Sequence, residues 1–453
     1  MQSAESLEQG IQRAGGAVPL LRNSPIRPHT FPVAAEFTNW RSEQAAWRDV
    51  CALLDQSHHM TDLYVSGPDA GRLLTDVGVN SFKNFGSGKA KQYVAVNHDG
   101  QLIGDAVLFH LDEQTFDLVG HPMVLDWVQY NLETGDYDAT TERDDNSIDR
   151  VSGPPKVYRY ELQGPAAAGI MEKLLDGPLP EVKFFSMTTF VIAGCSVRGL
   201  RHGMAGQPGY ELFGPWEQGE RVRDAILEAG RQFGLVRVGA KAYSTANLES
   251  AWIPAPLPAI FSGDELRGYR QWLPTTAMGS LGGSMDSPNI EDYYVTPYDI
   301  GYGRLVSFDH DFVGRDALLE ISKNPEREKV TLVWNSDDVA DAVGSLYRPG
   351  LPAKYIEMPK ARYALHQSDK VLKDGNLIGL SMDVGYLANE HLMVSLATVD
   401  VAHSRPGTEV TVVWGEDPNS AKPAVESHKQ IQLRATVAPA PYVKFAREAY
   451  RDK

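Results

Sequence analysis

The paired histidines of Asp55-Gln56-Ser57-His58-His59-Met60 carry the most chemical promise in this sequence. Neighbouring side chains on a strand point to opposite faces, so the two rings cannot easily share one ion. No HExxH and no cysteine-rich partner segment supplies further ligands, and no metal is expected. One histidine is then expected to face a pocket while the other packs or meets solvent. Glu211 is a second candidate. It follows the turn Gly206-Gln207-Pro208-Gly209 and alternates with Tyr210 and Leu212, so on a strand it faces away from both. That places it either in solvent or as an acceptor for the donors of a planar heterocycle. No GxGxxG opens a helix after a strand, and neither a GxxxxGK[ST] loop nor a GxSxG elbow occurs. Dinucleotide, nucleoside-triphosphate and serine-hydrolase chemistry therefore lose their usual sequence support.

Elements that position such residues are visible along the chain. Leu63 to Ala70 (LYVSGPDA) and Tyr160 to Ala167 (YELQGPAA) both read as a strand entering a Gly-Pro turn, and Gly67 and Gly164 lie 97 residues apart (164 minus 67). Leu73, Leu74 and Val77 after the first copy, and Ile170, Met171, Leu174 and Leu175 after the second, repeat at helical spacing. Proline suits the first helical position, and two copies at domain-like spacing imply an internal duplication. Arg221 to Phe233 forms a helix closed by Gly234, and Asp316 to Ser322 forms another. After about residue 328 the period becomes two. Val330–Trp334, Leu377–Ser381, Leu392–Leu396 and Glu409–Trp414 read as strands of a small barrel or sandwich. The Gly-, Ser- and Met-rich stretch 275–296 reads as a loop lining a pocket.

The chain has 453 residues, enough for two to three domains. Its 43 basic and 59 acidic residues give a net charge of −16, which repels nucleic acid and anionic membranes, so an anionic small substrate needs a locally positive pocket. No apolar stretch approaches the ~20 residues of a membrane span. Cys51 and Cys195 are the only cysteines, and no export signal opens the chain, so a reducing cytoplasm is expected.

Several motifs together carry a family resemblance. Leu53 to Met60 followed by Leu63 to Gly67, then Gly203 to Glu211, Leu235 to Gly239, Asn247 to Ser250, and Phe312 to Leu318 (FVGRDAL) resemble, in order, segments of the glycine-cleavage T-protein (aminomethyltransferase) family. Within it, Glu36 to Arg41, His58-His59, Arg201 to Gly206, Ser250 to Pro254 and Asn289 to Tyr294 resemble the tetrahydrofolate-dependent O-demethylases of vanillate and syringate. The resemblance implies an α+β fold of three domains. These are a first α+β folate-binding module (1–150), a second α+β module completing the folate and substrate cleft (151–327), and a C-terminal β-barrel (328–453). It implies tetrahydrofolate as cofactor and a methoxylated aromatic acid as substrate, with no protein partner indicated.

Residue by residue, the resemblance places Glu211, Asp105 and Tyr93 at the folate, and His59 and Tyr243 near the ether oxygen. Trp252, His29, Phe31 and His121 fall at the aromatic acid. His121 stands where an arginine was expected to pair the substrate carboxylate, and His29 or Phe31 replaces an aromatic hydroxyl. Both departures count against vanillate and leave room for the bulkier syringate. Reference pKa values of about 6.5 for histidine and about 10 for tyrosine suit His59 to proton delivery near neutrality and Tyr243 to stabilising the developing phenolate, and the sequence does not rank the two as proton source. Trp252, Tyr293, Tyr294 and Tyr298 lean towards a flat guest. The alternatives are aminomethyl transfer or another demethylation on the same scaffold, or a folate-binding protein without turnover.

Overall fold

The alternating strands and Gly-Pro turns build two sheets that face each other, with a barrel behind them. A computed structural model describes residues 4–416, 422 and 424–449. Its strands, in chain order, are β1 (Ala52–Asp55), β2 (Thr61–Ser66), β3 (Lys89–Val96), β4 (Leu102–Asp112), β5 (Thr115–Gly120), β6 (Thr140–Asp144), β7 (Val157–Gln163), β8 (Met187–Ile192), β9 (Cys195–Arg201), β10 (Gly209–Pro215), β11 (Val236–Val238), β12 (Leu281–Gly282), β13 (Arg327–Trp334), β14 (His366–Gln367), β15 (Asp369–Lys373), β16 (Asn376–Leu387), β17 (Leu392–Asp400), β18 (Glu409–Trp414) and β19 (Ile431–Ala438). One sheet runs β3-β4-β5-β2-β6 and the other β11-β1-β7-β10-β9-β8. Among the described residues no helix is long and apolar enough to cross a membrane.

The duplication is present as read. β2 leads through Gly67 (φ +131°) to the helix Ala70–Val77, and β7 through Gly164 (φ +134°) to the helix Ala167–Leu175. Only glycine fits either turn. A Cβ would lie 2.7 Å from Asp138 O at the first and 2.8 Å from Cys51 Cα at the second. Each helix starts beyond the proline, which sits in the turn rather than at the first helical position.

The helix expected over 221–233 begins at Gly219, runs to Gly230 and tightens to a 3₁₀ turn over Arg231–Phe233 before the left-handed Gly234. The period-two segments become a closed six-stranded barrel, β13-β17-β16-β15-β18-β19. Trp334 and Trp414 meet edge to face in its core with centroids 5.4 Å apart.

The division at 150 and 327 follows the chain but not the packing. β1, at residues 52–55, pairs in parallel with β11 and antiparallel with β7, inside the second sheet. One apolar core joins Leu63, Val65 and Leu74 to Leu248, Ile260 and Leu318, and reaches Leu380 and Leu396 of the barrel. The stretch 275–296 does not line the cavity described below; it straps the barrel. Ser284 N donates to Asp369 Oδ1 at 2.9 Å, Ser284 Oγ donates to Val413 O at 2.7 Å, and Tyr293 is fully buried.

Candidate active site between the two sheets

The side chains of β7 sort by the two-residue period. Tyr158, Tyr160 and Leu162 fill the core of the second module, while Arg159, Glu161 and Gln163 share the other face. That face is not in water: Arg159 is 3% exposed and Glu161 and Gln163 are sealed. Glu211 of β10 lies directly opposite Glu161 in register, so the sheet brings two carboxyl groups side by side. Glu211 is buried, which removes the reading of a solvent-facing strand glutamate.

Arg159 ties the sheets together. Its Nη1 donates to Glu211 Oε1 at 3.0 Å and its Nη2 donates to Asp117 Oδ2 at 2.9 Å and to Asp62, both on the first sheet. Phe109 and Phe213 flank its guanidinium at 5.2 and 4.9 Å. One cation cannot neutralise three buried carboxylates. Burial, with Asp62 beside it, lifts Asp117 well above the usual carboxylate range, and burial also lifts Glu211. Glu161 has no cation of its own. Gln56 Nε2 and Met204 N donate to it, yet burial raises its pKa to about 8, so at neutral pH it is a neutral acid.

His58 and His59 sit in a turn after β1 rather than on a strand, and they diverge. His58 Nδ1 meets Ser147 Oγ at 2.8 Å and its ring packs edge-on to Trp216. His59 Nε2 meets the Tyr243 hydroxyl at 2.7 Å, with Phe31 edge-on to its ring at 6.0 Å. The four-residue helix Ala240–Tyr243 presents that hydroxyl. Ala240 N donates to Ala34 O and Lys241 N to Ala35 O, which ties this helix to the segment following His29 and Phe31.

The expected proton delivery by His59 near neutrality does not survive. Burial drives its pKa down to about 4, with the neighbouring His58 and Arg159 adding to the shift, so the ring is neutral at pH 7. Burial raises Tyr243 well above 10, with Glu161 and Glu211 opposing tyrosinate, and the Gln56 amide reaches its hydroxyl.

Asp105 and Trp252 are brought together. Asp105 Oδ2 accepts from Trp252 Nε1 and Tyr302 Oη, both at 2.9 Å, and from Gln92. Burial nonetheless raises its pKa. Asp105 lines a cavity with His121, His366, Val124, Pro254 and Pro256. His121 caps the helix Pro122–Thr134 where β5 ends. It lines this cavity while remaining exposed, and its close surroundings, then Arg362 and His29, lower its pKa.

Tyr93 is not brought here. It follows Gln92 on β3, so its ring turns to the opposite face, is fully buried, and donates its hydroxyl to Leu74 O at 2.9 Å. Tyr93 is a core residue, which corrects its placement at the folate. Tyr293 and Tyr294 are core as well, so the lean towards a flat guest rests on Trp252 and the half-buried Tyr298. Sequence reasoning missed Arg159, Glu161, Gln56, Tyr302 and His366. For the first two a signal existed, since polar residues at every second position of a strand mark one face.

This arrangement fits a folded-in pterin. Glu161, Glu211 and Gln163 form a buried hydrogen-bonding wall, and Gln163 Nε2 is a buried donor with no partner among the described residues.

Residues 11–255 match the GCVT N-terminal domain family. A syringate O-demethylase of Sphingobium sp. strain SYK-6 is 45% identical over 99% of this chain and 98% of its own length. A sesamin methylene transferase of Sinomonas sp. strain No.22 is 32% identical over 84% of each. The crystal structure of glycine cleavage system aminomethyltransferase T from Bartonella henselae superposes with a TM-score of 0.61 at 18% identity, covering 92% of each chain, and so shares the fold. The chain therefore belongs to the GCVT family and has the three-part T-protein architecture of two α+β modules and a C-terminal β-barrel.

Proposed function

We propose that this protein is a tetrahydrofolate-dependent O-demethylase of methoxylated aromatic acids, with syringate preferred and vanillate second. The observation that carries the reading is the Tyr243–His59 pair, joined at 2.7 Å beside the acidic wall of Glu161 and Glu211, in a chain 45% identical to a syringate O-demethylase. Two buried free thiols suit a cytoplasmic setting.

An aryl methyl ether resists cleavage because phenolate is a modest leaving group. Tetrahydrofolate, when bound, supplies the nucleophilic N5 amine that takes the methyl group. Glu211 and Gln163 would hold its ring, with the neutral carboxyl of Glu161 beside them. Positioning of this kind is worth roughly 7–11 kcal/mol in favourable cases.

Tyr243 holds a proton at Oη and donates a hydrogen bond to the oxygen on which charge develops. Full transfer would leave a buried tyrosinate, the costlier outcome, so Tyr243 stabilises charge rather than ionising. His59, neutral and protonated on Nε2, donates to Tyr243 Oη, which leaves the Tyr243 proton for the substrate oxygen and fixes the orientation of the hydroxyl. Asp105, part of the cavity wall, holds Trp252 and Tyr302 through hydrogen bonds, and Phe31 and Trp252 are the flat faces offered to the aromatic guest.

The test is an incubation of protein, tetrahydrofolate and a panel of methoxybenzoates, read by mass spectrometry. Conversion of syringate to its demethylated phenol together with 5-methyltetrahydrofolate is expected. Tight folate binding with no methyl transfer to folate from any aryl ether would overturn the reading.

A further inference from the structure

An aromatic acid enters with a carboxylate, and the chain around it carries a net charge of −16. Removing a carboxylate from water demands charged or abundant donors. His121, the partner expected from the sequence, is neutral at pH 7 and offers at most one N–H. The groups that act on it are Arg362, His29 and Asp149, in that order. Arg362 is therefore the strongest cation in its surroundings, and it comes from the C-terminal part of the chain, just ahead of β14.

The geometry around Arg362 is specific. Its Nε donates to Ala364 O at 3.2 Å and its Nη2 donates to Leu365 O at 2.5 Å. Those carbonyls immediately precede His366, which lines the cavity with His121 and Asp105. His366 is itself anchored there by Ala255 O at 3.2 Å, and Ala255 is also part of the cavity wall. The backbone bonds hold the guanidinium while its Nη1 group has no partner among the described residues.

The nearest carboxylate does not consume this charge. Asp383 accepts from Lys360 Nζ at 2.5 Å and from Asn247 Nδ2 at 2.6 Å and also acts on Arg362, so the two cations Lys360 and Arg362 share one carboxylate. A fixed, half-buried arginine that shares its one carboxylate with a lysine, close to the cavity-lining His121 and His366, is an anion-binding arrangement in an acidic protein.

We propose that Arg362 receives the carboxylate of the aromatic acid through its Nη1 edge, with the His121 N–H as a second donor, so that the barrel module selects acids over neutral ethers. This rests on the demethylase reading and deepens it. The vanillate-type arginine expected at position 121 is, in this chain, replaced in function by one far along the sequence.

The experiment compares syringate with its methyl ester, which keeps the ring, the methoxy groups and the hydroxyl but lacks the charge. In the wild-type protein KM should favour the acid. In Arg362→Ala the ratio of the two KM values should shift against the acid by about tenfold or more, as expected when one member of a desolvated charge pair is removed. Arg362→Lys should lie between them, because it keeps the charge and loses the fork. If Arg362→Ala does not fold, Arg362→Gln, which keeps donors for the two carbonyls, is read the same way. A KM ratio unchanged within twofold in the folded variant overturns the proposal, as does a wild-type protein that demethylates both compounds without preferring the acid. Failure of the wild-type protein to demethylate either compound would instead overturn the functional reading beneath it.

Discussion

The two copies of the strand–Gly-Pro–helix unit differ most on the face each strand turns towards the other. The offset that relates Gly67 to Gly164 also relates Asp62 to Arg159, Tyr64 to Glu161 and Ser66 to Gln163. The core-facing residues of both strands are apolar or aromatic, so each copy folds by the same rule. On the inner faces, equivalent positions carry opposite charges, and Asp62 and Arg159 meet across the join. The second copy then adds a carboxyl and an amide where the first has a hydroxyl. Duplication thus supplied two similar frames, and substitution on one face made the first a support and the second a hydrogen-bonding wall.

Breaking the join should have the largest effect. Arg159→Met leaves Asp62, Asp117 and Glu211 facing one another and should cost about 3–5 kcal/mol in urea unfolding. Asp62→Asn should cost a small fraction of that, because Arg159 keeps Asp117 and Glu211. Equal losses in both variants would deny the arginine its special place. At the second copy's wall, Tyr243→Phe should lower kcat by about 10²-fold with folate affinity kept, and His59→Gln by at least an order of magnitude. Wild-type rates would remove both from the mechanism. Glu211→Gln should weaken folate binding about tenfold or more, measured by fluorescence titration.

The pH effects are smaller and distinguish the two acids of the wall. Glu161 has a folded pKa of about 8 against 4.5 unfolded, so it holds a proton through this range and gives it up as pH rises past 8. Folate affinity should fall across pH 8 in the wild type and stay flat in Glu161→Gln. Identical pH profiles would show that Glu161 does not face the ligand. His59 and His366 titrate near 4 and 3 in the fold but near 6.5 when unfolded. The unfolded chain takes up those protons first, so their contribution is complete above about 6.5 and is lost as pH falls towards 4. Urea midpoints should decline across that window, and less steeply in His59→Gln.

How much of this was legible in the sequence depends on the range of the interactions. The Gly-Pro turns, the helix ending at Gly234 and the period-two barrel strands follow from local rules, and the structure has them. The direction of Glu211 was legible from alternation, but its burial was not, because a strand does not announce what covers its second face. The same ambiguity hid Arg159 and Glu161. Tyr93 fell on the wrong face by one residue, which in a strand is the whole difference between site and core. The neutral state of His59 depends on the sheets and helix that close over it. Arg362 acts on His121 and His366 only because the C-terminal part of the chain folds back, and no motif near Val119 predicts a partner from there.

The central claim is that a methyl group passes directly from an aromatic ether to folate between these two modules. Syringate carrying ¹³C in its methoxy groups tests it most directly. Incubated with protein and tetrahydrofolate, the label should appear in 5-methyltetrahydrofolate in one-to-one ratio with the phenol released, and Glu211→Gln should slow both together. Label recovered instead as methanol or formaldehyde, with folate unmethylated, would contradict the account.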